Sequence, residues 1–384
     1  MRVCHLGKYY PPAPGGIETH LQTLARAQRS LGLDVKVLCM NHERVRTQVE
    51  NDDGVQIQRF APGATFFKMH VSPALVRAIR DAETDLFHLH VPNPVMILHV
   101  FLARPEAPIV VTYHSDIVRQ QIRAALFRPI ERAVYSRVSR ILATSPVYAQ
   151  GSGFLKSYRE RIEVLPMGLD LEPYLTPSAA HRQTTAELTK KYPGPIWLTC
   201  GRLTYYKGLL NAVRALKKIP GTLIMVGSGP ERDALEAEVS ALGLEERVVF
   251  AGYLPNYHDI IPYYCAATAL LFPSNARSEA FGLVQVEAMA SGCPVINTHI
   301  PHSGVAWVSP GEQTGLTVPM DNPDALASAA RRILDEPALR DKLGNAGRER
   351  AKAEFDHRTM ARRSLGIYQT VVGHVAQEVM HDHV

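Results

Sequence analysis

Short runs of aliphatic and β-branched residues recur along the first part of the chain, spaced to leave room for a helix between them: RVCHLG, VKVLCM, LFHLHV, IVVTYH, RILATS and RIEVLP. Unbroken apolar runs of this length are expected of strands covered on both faces, as in a parallel sheet. Between most of them the apolar period lengthens to three and four. Within Glu18–Leu31 it picks out Leu21, Leu24, Ala25 and Gln28, so an amphipathic helix is expected there. A turn-rich stretch, LPMGLDLEPYLTP, then interrupts the pattern and a polar segment runs to Lys191. Alternation restarts with IWLTCG, TLIMVGSG, RVVFAGYL, ALLFPS, PVINT and TGLTVP. The expected fold class is α/β, with two doubly wound parallel-sheet domains at 1–170 and 171–356 and a C-terminal helical segment, 357–384, packing back across the boundary. Ligands of such sheets sit beyond the carboxyl ends of the strands, so with two sheets the expected site is a central cleft.

The length of 384 residues suits two domains, and 46% hydrophobic with 21% charged residues suits a globular protein in water. No apolar run reaches the ~18 residues of a membrane span. MRVCHLGKYYPP reads as a first strand and not a secretory leader, which points to the cytoplasm. The five cysteines, Cys4, Cys39, Cys200, Cys265 and Cys293, are scattered through mostly apolar runs and are expected to be buried thiols. Charge is uneven, since residues 1–170 carry 21 Lys+Arg against 15 Asp+Glu and the remainder 21 against 22.

Candidate chemistry falls at strand ends. YYPPAPGGIETH places Gly15 and Gly16 between the first strand and the first helix, where backbone amides can meet a phosphate. An ordinary loop would look the same. CGRLTYYKG places Arg202 and Lys207 after the first strand of the second domain, a planar fork and a movable point charge suited to a diphosphate. In SEAFGLVQVEAMASG, Glu279 and Glu287 flank the start of a helix. Eight residues of helix would rise ~12 Å, about the reach from a sugar ring across a diphosphate to a ribose. Glu279 can accept from hexose hydroxyls and Glu287 from ribose hydroxyls, with the amides of Phe281, Gly282 and Leu283 facing the phosphates. A glycoside hydrolase needs its carboxylates only ~5–9.5 Å apart. VTYHSD brings His114 and Asp116 to a strand end, and DLFHLHVP brings Asp85, His88 and His90. His88 and His90 share one strand face, but no third and fourth ligands accompany them and no D-x-D stretch occurs, so no metal site is expected. Cationic side chains and helix amides would then shield a leaving phosphate.

GGIETH, DLFHLH, TYHSD, LPMGLD, GRLTYYKG, VGSGPER, VVFAGYLP, EAFGLVQVEAMASGCPVINT and TGLTVP together resemble, in order and over nearly the whole chain, the family 4 retaining nucleotide-sugar glycosyltransferases. The resemblance implies the GT-B fold of two Rossmann-like domains facing a central cleft. It implies hexosyl transfer from a nucleotide diphosphate sugar, GDP-mannose or a UDP-hexose, to a glycan or lipid-linked acceptor, as in bacterial polysaccharide synthesis. The nucleotide sugar is a substrate, so no cofactor is implied, and the family commonly needs no divalent metal. Residue by residue, the resemblance puts Gly16 near the distal phosphate, with Gly15 beside it among the donor-binding residues, and Arg202 and Lys207 on the diphosphate. Glu279, Phe281, Gly282 and Leu283 hold the transferred sugar, Leu254 lines the donor pocket, Glu287 holds the ribose and His114 lines the reaction centre. Two positions depart from the family pattern: Ala280 stands where glycine is usual, and the longer PSNARSEAFG brings Arg277 near the pocket.

Two further readings stay open beside it, a non-catalytic nucleotide-sugar-binding protein on the same scaffold and an inverting transferase with His114 or Asp116 as base. Nucleic acid is not an expected partner, because the basic half lacks aromatic platforms. That half carries Arg119, Arg123, Arg128, Arg132, Arg137 and Arg140 beside an apolar stripe of Ile122, Leu126, Phe127, Ile130 and Val134. It is either a core-facing helix with a solvated cationic face or, with Phe66, Phe67, Lys68, Arg77 and Arg80, a face resting on an anionic membrane where a lipid-linked acceptor is presented.

Overall fold

The computed structural model describes residues 1–13, 15–43, 46–63, 65–66, 69–116 and 121–381. The chain forms two compact units, Met1–Gly168 with His357–Val384, and Leu169–Asp356.

In the first unit the strands are β1 (Arg2–Leu6), β2 (Asp34–Met40), β3 (Gln48–Asp52), β4 (Val55–Phe60), β5 (Thr65–Phe66), β6 (Met69–His70), β7 (Leu86–Val91), β8 (Ile109–Tyr113), β9 (Val138–Ala143) and β10 (Ile162–Val164). Eight of them make one sheet in the order β10-β9-β8-β7-β1-β2-β4-β3. All pairings are parallel except β3 against β4. β3 and β4 are not legible in the apolar pattern of the chain. VQIQRF alternates apolar and polar, as a strand near an edge does, and QVEND has almost nothing to bury, so neither carries the mark of a doubly covered strand. The chain changes direction across the sheet between β1 and β7, which makes their carboxyl ends the natural ligand crevice. The helix Gly16–Ser30 buries Leu21, Leu24 and Ala25 on β1 and β2, and Met360, Tyr368 and Val371 of the terminal helix, His357–His381, close the same core.

The second unit is an all-parallel sheet of β11 (Ile196–Cys200), β12 (Thr222–Val226), β13 (Val248–Gly252), β14 (Ala269–Phe272), β15 (Val295–His299) and β16 (Gly315–Pro319), in the order β13-β12-β11-β14-β15-β16. The direction switches between β11 and β14. Its core gathers Trp197, Leu216, Leu223, Met225, Leu271, Ile296, Ile333 and Leu343.

The basic face is partly committed within its own unit. Arg140 Nε donates to Glu163 at 3.0 Å, Arg137 to the carbonyl of Pro105 at 2.5 Å, and Arg80 to those of Ala103 and Leu102 at 3.4 Å. Arg77, Arg128 and Arg132 are exposed. Phe67, Lys68 and Arg119 lie outside the described residues. Among the described residues no helix is long and apolar enough to cross a membrane.

Trp197 is wholly buried at the centre of the second sheet, and its indole N–H donates to the carbonyl of Pro220 at 2.8 Å. Trp197→Ala should cost about 3–5 kcal/mol in urea unfolding, and Trp197→Phe, which keeps most of the volume, clearly less. Equal costs for the two would show that the ring's packing is not what holds this core.

Candidate functional site

Each unit carries its own constellation at its switch point. In the second, the turn Tyr205–Lys207 follows β11, and Gly208 ends it in a left-handed conformation, φ +60°. A Cβ there would stand 2.1 Å from the carbonyl oxygen of Pro273, so glycine lets the turn lie against the loop after β14. Asn275 N–H donates to the carbonyl of Tyr206 at 2.9 Å, tying the two loops a second time. The result sets Lys207 Nζ 2.6 Å from Glu279 Oε2, with the two side chains 12% and 10% exposed. The ammonium also lies 4.9 Å from the centre of the Phe272 ring. Burial works to lower the Lys207 pKa, but the Glu279 carboxylate and Tyr206 outweigh it and hold it raised. Arg202 lies exposed just past β11, and Leu254 is half-buried just past β13.

Glu279 sits in the loop before the helix Leu283–Ala290. Ser303 Oγ donates to its carbonyl at 2.5 Å, Gly304 N–H donates to that of Ala280 at 2.9 Å, and Arg277 Nε donates to that of His302 at 3.1 Å. Arg277 therefore clamps the loop's backbone. Ala280 does not have a positive φ, so its methyl costs no strain where glycine is usual. Phe281 buries its ring edge-on to Phe355, centroids 5.7 Å apart, which leaves its backbone as the polar part it can offer. Gly282, φ +79°, starts the helix without a side-chain cap, and a Cβ there would stand 2.7 Å from the Phe272 ring. The first-turn amides of Leu283 and Val284 have no intrahelical acceptor, and with Lys207 they can hold an anion.

Glu287 is the fifth residue of that helix, so the two-turn helical separation expected from its spacing to Glu279 is not formed. Only 3% exposed, it accepts from Tyr264 at 2.8 Å on one oxygen and from Tyr257 on the other. Burial raises its pKa against the opposing pull of the two tyrosines and Lys207. Tyr257 is 43% exposed and Tyr264 wholly buried, so Tyr257 is the more accessible of the two partners. Neither tyrosine is legible in the sequence as part of a site, because both arrive from the segment after β13.

In the first unit, Gly15 opens the helix Gly16–Ser30 with no side-chain cap. A Cβ at Gly15 would stand 2.1 Å from Glu18 Oε2, whereas Gly16 faces open space. An arriving phosphate would meet the Glu18 carboxylate at Gly15. His114, just past β8, is 6% exposed and pushed by burial to about 3. Asp116 accepts from Tyr113 at 2.6 Å and Ser152 at 2.7 Å, and Asp85 from Arg2 at 3.0 Å, which leaves both carboxylates in structural bonds.

The expectation that His88 and His90 stand without further imidazoles is corrected by the fold. β1 runs beside β7 with His5 opposite His88, and the first helix adds His20. His90 Nδ1 is 3.4 Å from His114 Nε2, and its Nε2 is 3.1 Å from His5 Nδ1. His5 Nε2 meets Gln28 at 2.7 Å, Gln28 donates to Ser364 and Tyr368 at 2.9 Å, and Tyr368 meets His88 at 2.5 Å. Strands distant in sequence supply these rings, so spacing along the chain could not reveal them.

Comparison with known proteins follows the same division. The family model of group 1 glycosyl transferases matches residues 182–350, and that of the glycosyl transferase 4-like domain residues 15–168. D-rhamnosyltransferase WbpZ of Pseudomonas aeruginosa is 33% identical over 358 residues, 92% of this chain and 92% of that one. O-antigen chain mannosyltransferase C of Escherichia coli is 28% identical over 378 residues, 97% of this chain and 99% of that one. Among solved structures, HepE of Anabaena in complex with UDP has a TM-score of 0.78 at 21% identity, covering 96% of this chain and 100% of that one. The architecture is GT-B.

Because folding raises the Glu287 pKa, the folded state holds this proton more tightly than the unfolded chain does. The group's contribution to stability is therefore present at low pH and is lost as pH rises through the raised value. Glu287→Gln should melt at or above the wild-type temperature at pH 7 and lose this part of the decline between mildly acidic and neutral pH. A variant that melts lower at pH 7 with an unchanged pH profile would show that the carboxylate is not strained in the fold.

Proposed function

Since the chain belongs to the group 1 glycosyl transferases, with a glycosyl transferase 4-like domain in its first part, we propose that it moves a hexose from a nucleotide diphosphate sugar to a hydroxyl of a glycan or lipid-linked acceptor, with retention of anomeric configuration. The observation that carries this reading is the Lys207–Glu279 pair, 2.6 Å apart beside an uncapped helix N-terminus. A cation and free amides receive the departing diphosphate, and the paired carboxylate holds sugar hydroxyls next to it. Arg202 supplies a second cation from the same strand end. Glu287 takes the ribose hydroxyls by exchanging Tyr257 while Tyr264 stays in place.

The relatives' names, a D-rhamnosyltransferase and an O-antigen chain mannosyltransferase, support a hexose or deoxyhexose donor and a bacterial glycan or glycolipid acceptor. GDP-mannose and UDP-hexoses are the donors to try. Retention is supported by the state of the candidate bases. A general base works best with a pKa near the working pH. His114 is pushed to about 3, and Asp116 is held by Tyr113 and Ser152. Same-face attack, with the departing phosphate oxygen taking the acceptor proton, needs neither. Lys207, Arg202 and the helix amides take the part a divalent metal would otherwise play. Among the described residues, exposed Arg77, Arg128 and Arg132 could meet an anionic membrane.

The test is one transfer assay run in EDTA with each donor, the product anomer read by NMR. Wild type should retain configuration. Glu279→Ala should lower kcat by about 10²–10³, as expected when a contact that strengthens in the transition state is removed. Glu287→Ala should act mainly by raising the donor KM. Activity that vanishes in EDTA and returns with Mn²⁺, an inverted product, or a Glu287→Ala defect confined to kcat would each contradict the assignment.

A further inference from the structure

Two groups of three histidines share His90, namely His5, His88 and His90, and His20, His90 and His114, each with ligand nitrogens within 4.8 Å of one another. Their hydrogen bonding separates them. In the first group His88 is held between Thr112, 2.6 Å away, and Tyr368, and His5 between Gln28 and His90. All its ring nitrogens but one are engaged within the group's own surroundings, and that one, His90 Nδ1, faces the second group. There, His20 is 1% exposed and neither of its ring nitrogens has a hydrogen-bond partner. A buried imidazole with both nitrogens unsatisfied is costly and needs an explanation. Its ring lies edge-on to His114, centroids 4.9 Å apart.

We propose that His20, His90 and His114 form a binding site for a d-block divalent cation, with zinc the best fit. His90 Nδ1 and His114 Nε2 are 3.4 Å apart. That is long for a hydrogen bond, but close to the ~3.3 Å edge of a tetrahedron with zinc–nitrogen bonds of about 2.05 Å. His20 supplies a third nitrogen from the helix. Three imidazoles and an open fourth position suit zinc, cobalt, nickel or copper far better than magnesium or manganese, which prefer oxygen. The outer contacts are also present. His90 is oriented through its other nitrogen by His5, which Gln28 fixes in turn. His114, the most open of the three at 6% exposure, is the side from which an ion would enter.

The experiment uses the untagged full chain with His381→Asn and His383→Asn, which removes a chelating tail. One zinc per chain should survive gel filtration, and X-ray absorption should show three imidazole nitrogens at about 2.0 Å. Co²⁺ in its place should give visible d–d bands that zinc abolishes. His20→Gln should weaken binding by ~100-fold or more, the upper end of what even outer-shell changes cost. Absence of retained zinc, fewer than three imidazoles in the absorption spectrum, or a folded His20→Gln that binds as tightly as its parent would each overturn the site.

Discussion

The second unit is arranged around one ion pair, Lys207 with Glu279. Both side chains are nearly withdrawn from water, which is tolerable only while each holds the other. The neighbouring features serve that distance. Gly208 lets the turn after β11 touch the carbonyl of Pro273, Asn275 bonds back to Tyr206, and Ser303 fixes the backbone of Glu279 itself. Because β11 and β14 flank the switch in strand order, loops separated by some seventy residues of chain are adjacent at their carboxyl ends. The pair is thus a product of topology, and it is preorganised at the cost of desolvation.

Charge and burial are set against each other elsewhere for the same reason. Burial disfavours the charged form of Glu287, and two tyrosine hydroxyls, one of them from the exposed Tyr257, offset part of that cost. In the first unit His5, His20, His88, His90 and His114 are pushed towards neutrality by burial, so His114 and its neighbours present lone pairs and not charges. Sites that are stable in isolation would have little left to offer a ligand.

What was legible in the sequence follows from how local each signal is. The strands of the second sheet stand out because each is a short apolar run, and the four inner ones are almost wholly buried. Lys207, Glu279 and Glu287 could be singled out as residues, since charges bordering apolar helix and strand ends demand partners. Which partners was not legible. Tyr257 and Tyr264, the clamp of Arg277 on His302, and the assembly of His5 and His20 with His90 and His114 depend on the order in which strands and helices are laid side by side. The edge strand β3 and its neighbour β4 were invisible because strands at the margin of a sheet need no continuous apolar run. Glu279 and Glu287 do flank the start of the helix, but Gly282, in a left-handed backbone, starts it only at Leu283, so the interval is not two full helical turns.

The central claim is that Lys207 is a diphosphate ligand waiting on a carboxylate. Calorimetric titration of wild type, Lys207→Met and Glu279→Gln with UDP and GDP tests it directly, because these ligands carry the diphosphate without the sugar. A charge-assisted hydrogen bond contributes about 1.5–3 kcal/mol, so Lys207→Met should weaken the preferred nucleotide by roughly 10–100-fold. Glu279→Gln, which releases the ammonium from its competitor, should bind that nucleotide as tightly as wild type or more so. Undiminished binding by Lys207→Met, or a loss in Glu279→Gln as large as that in Lys207→Met, would contradict the account.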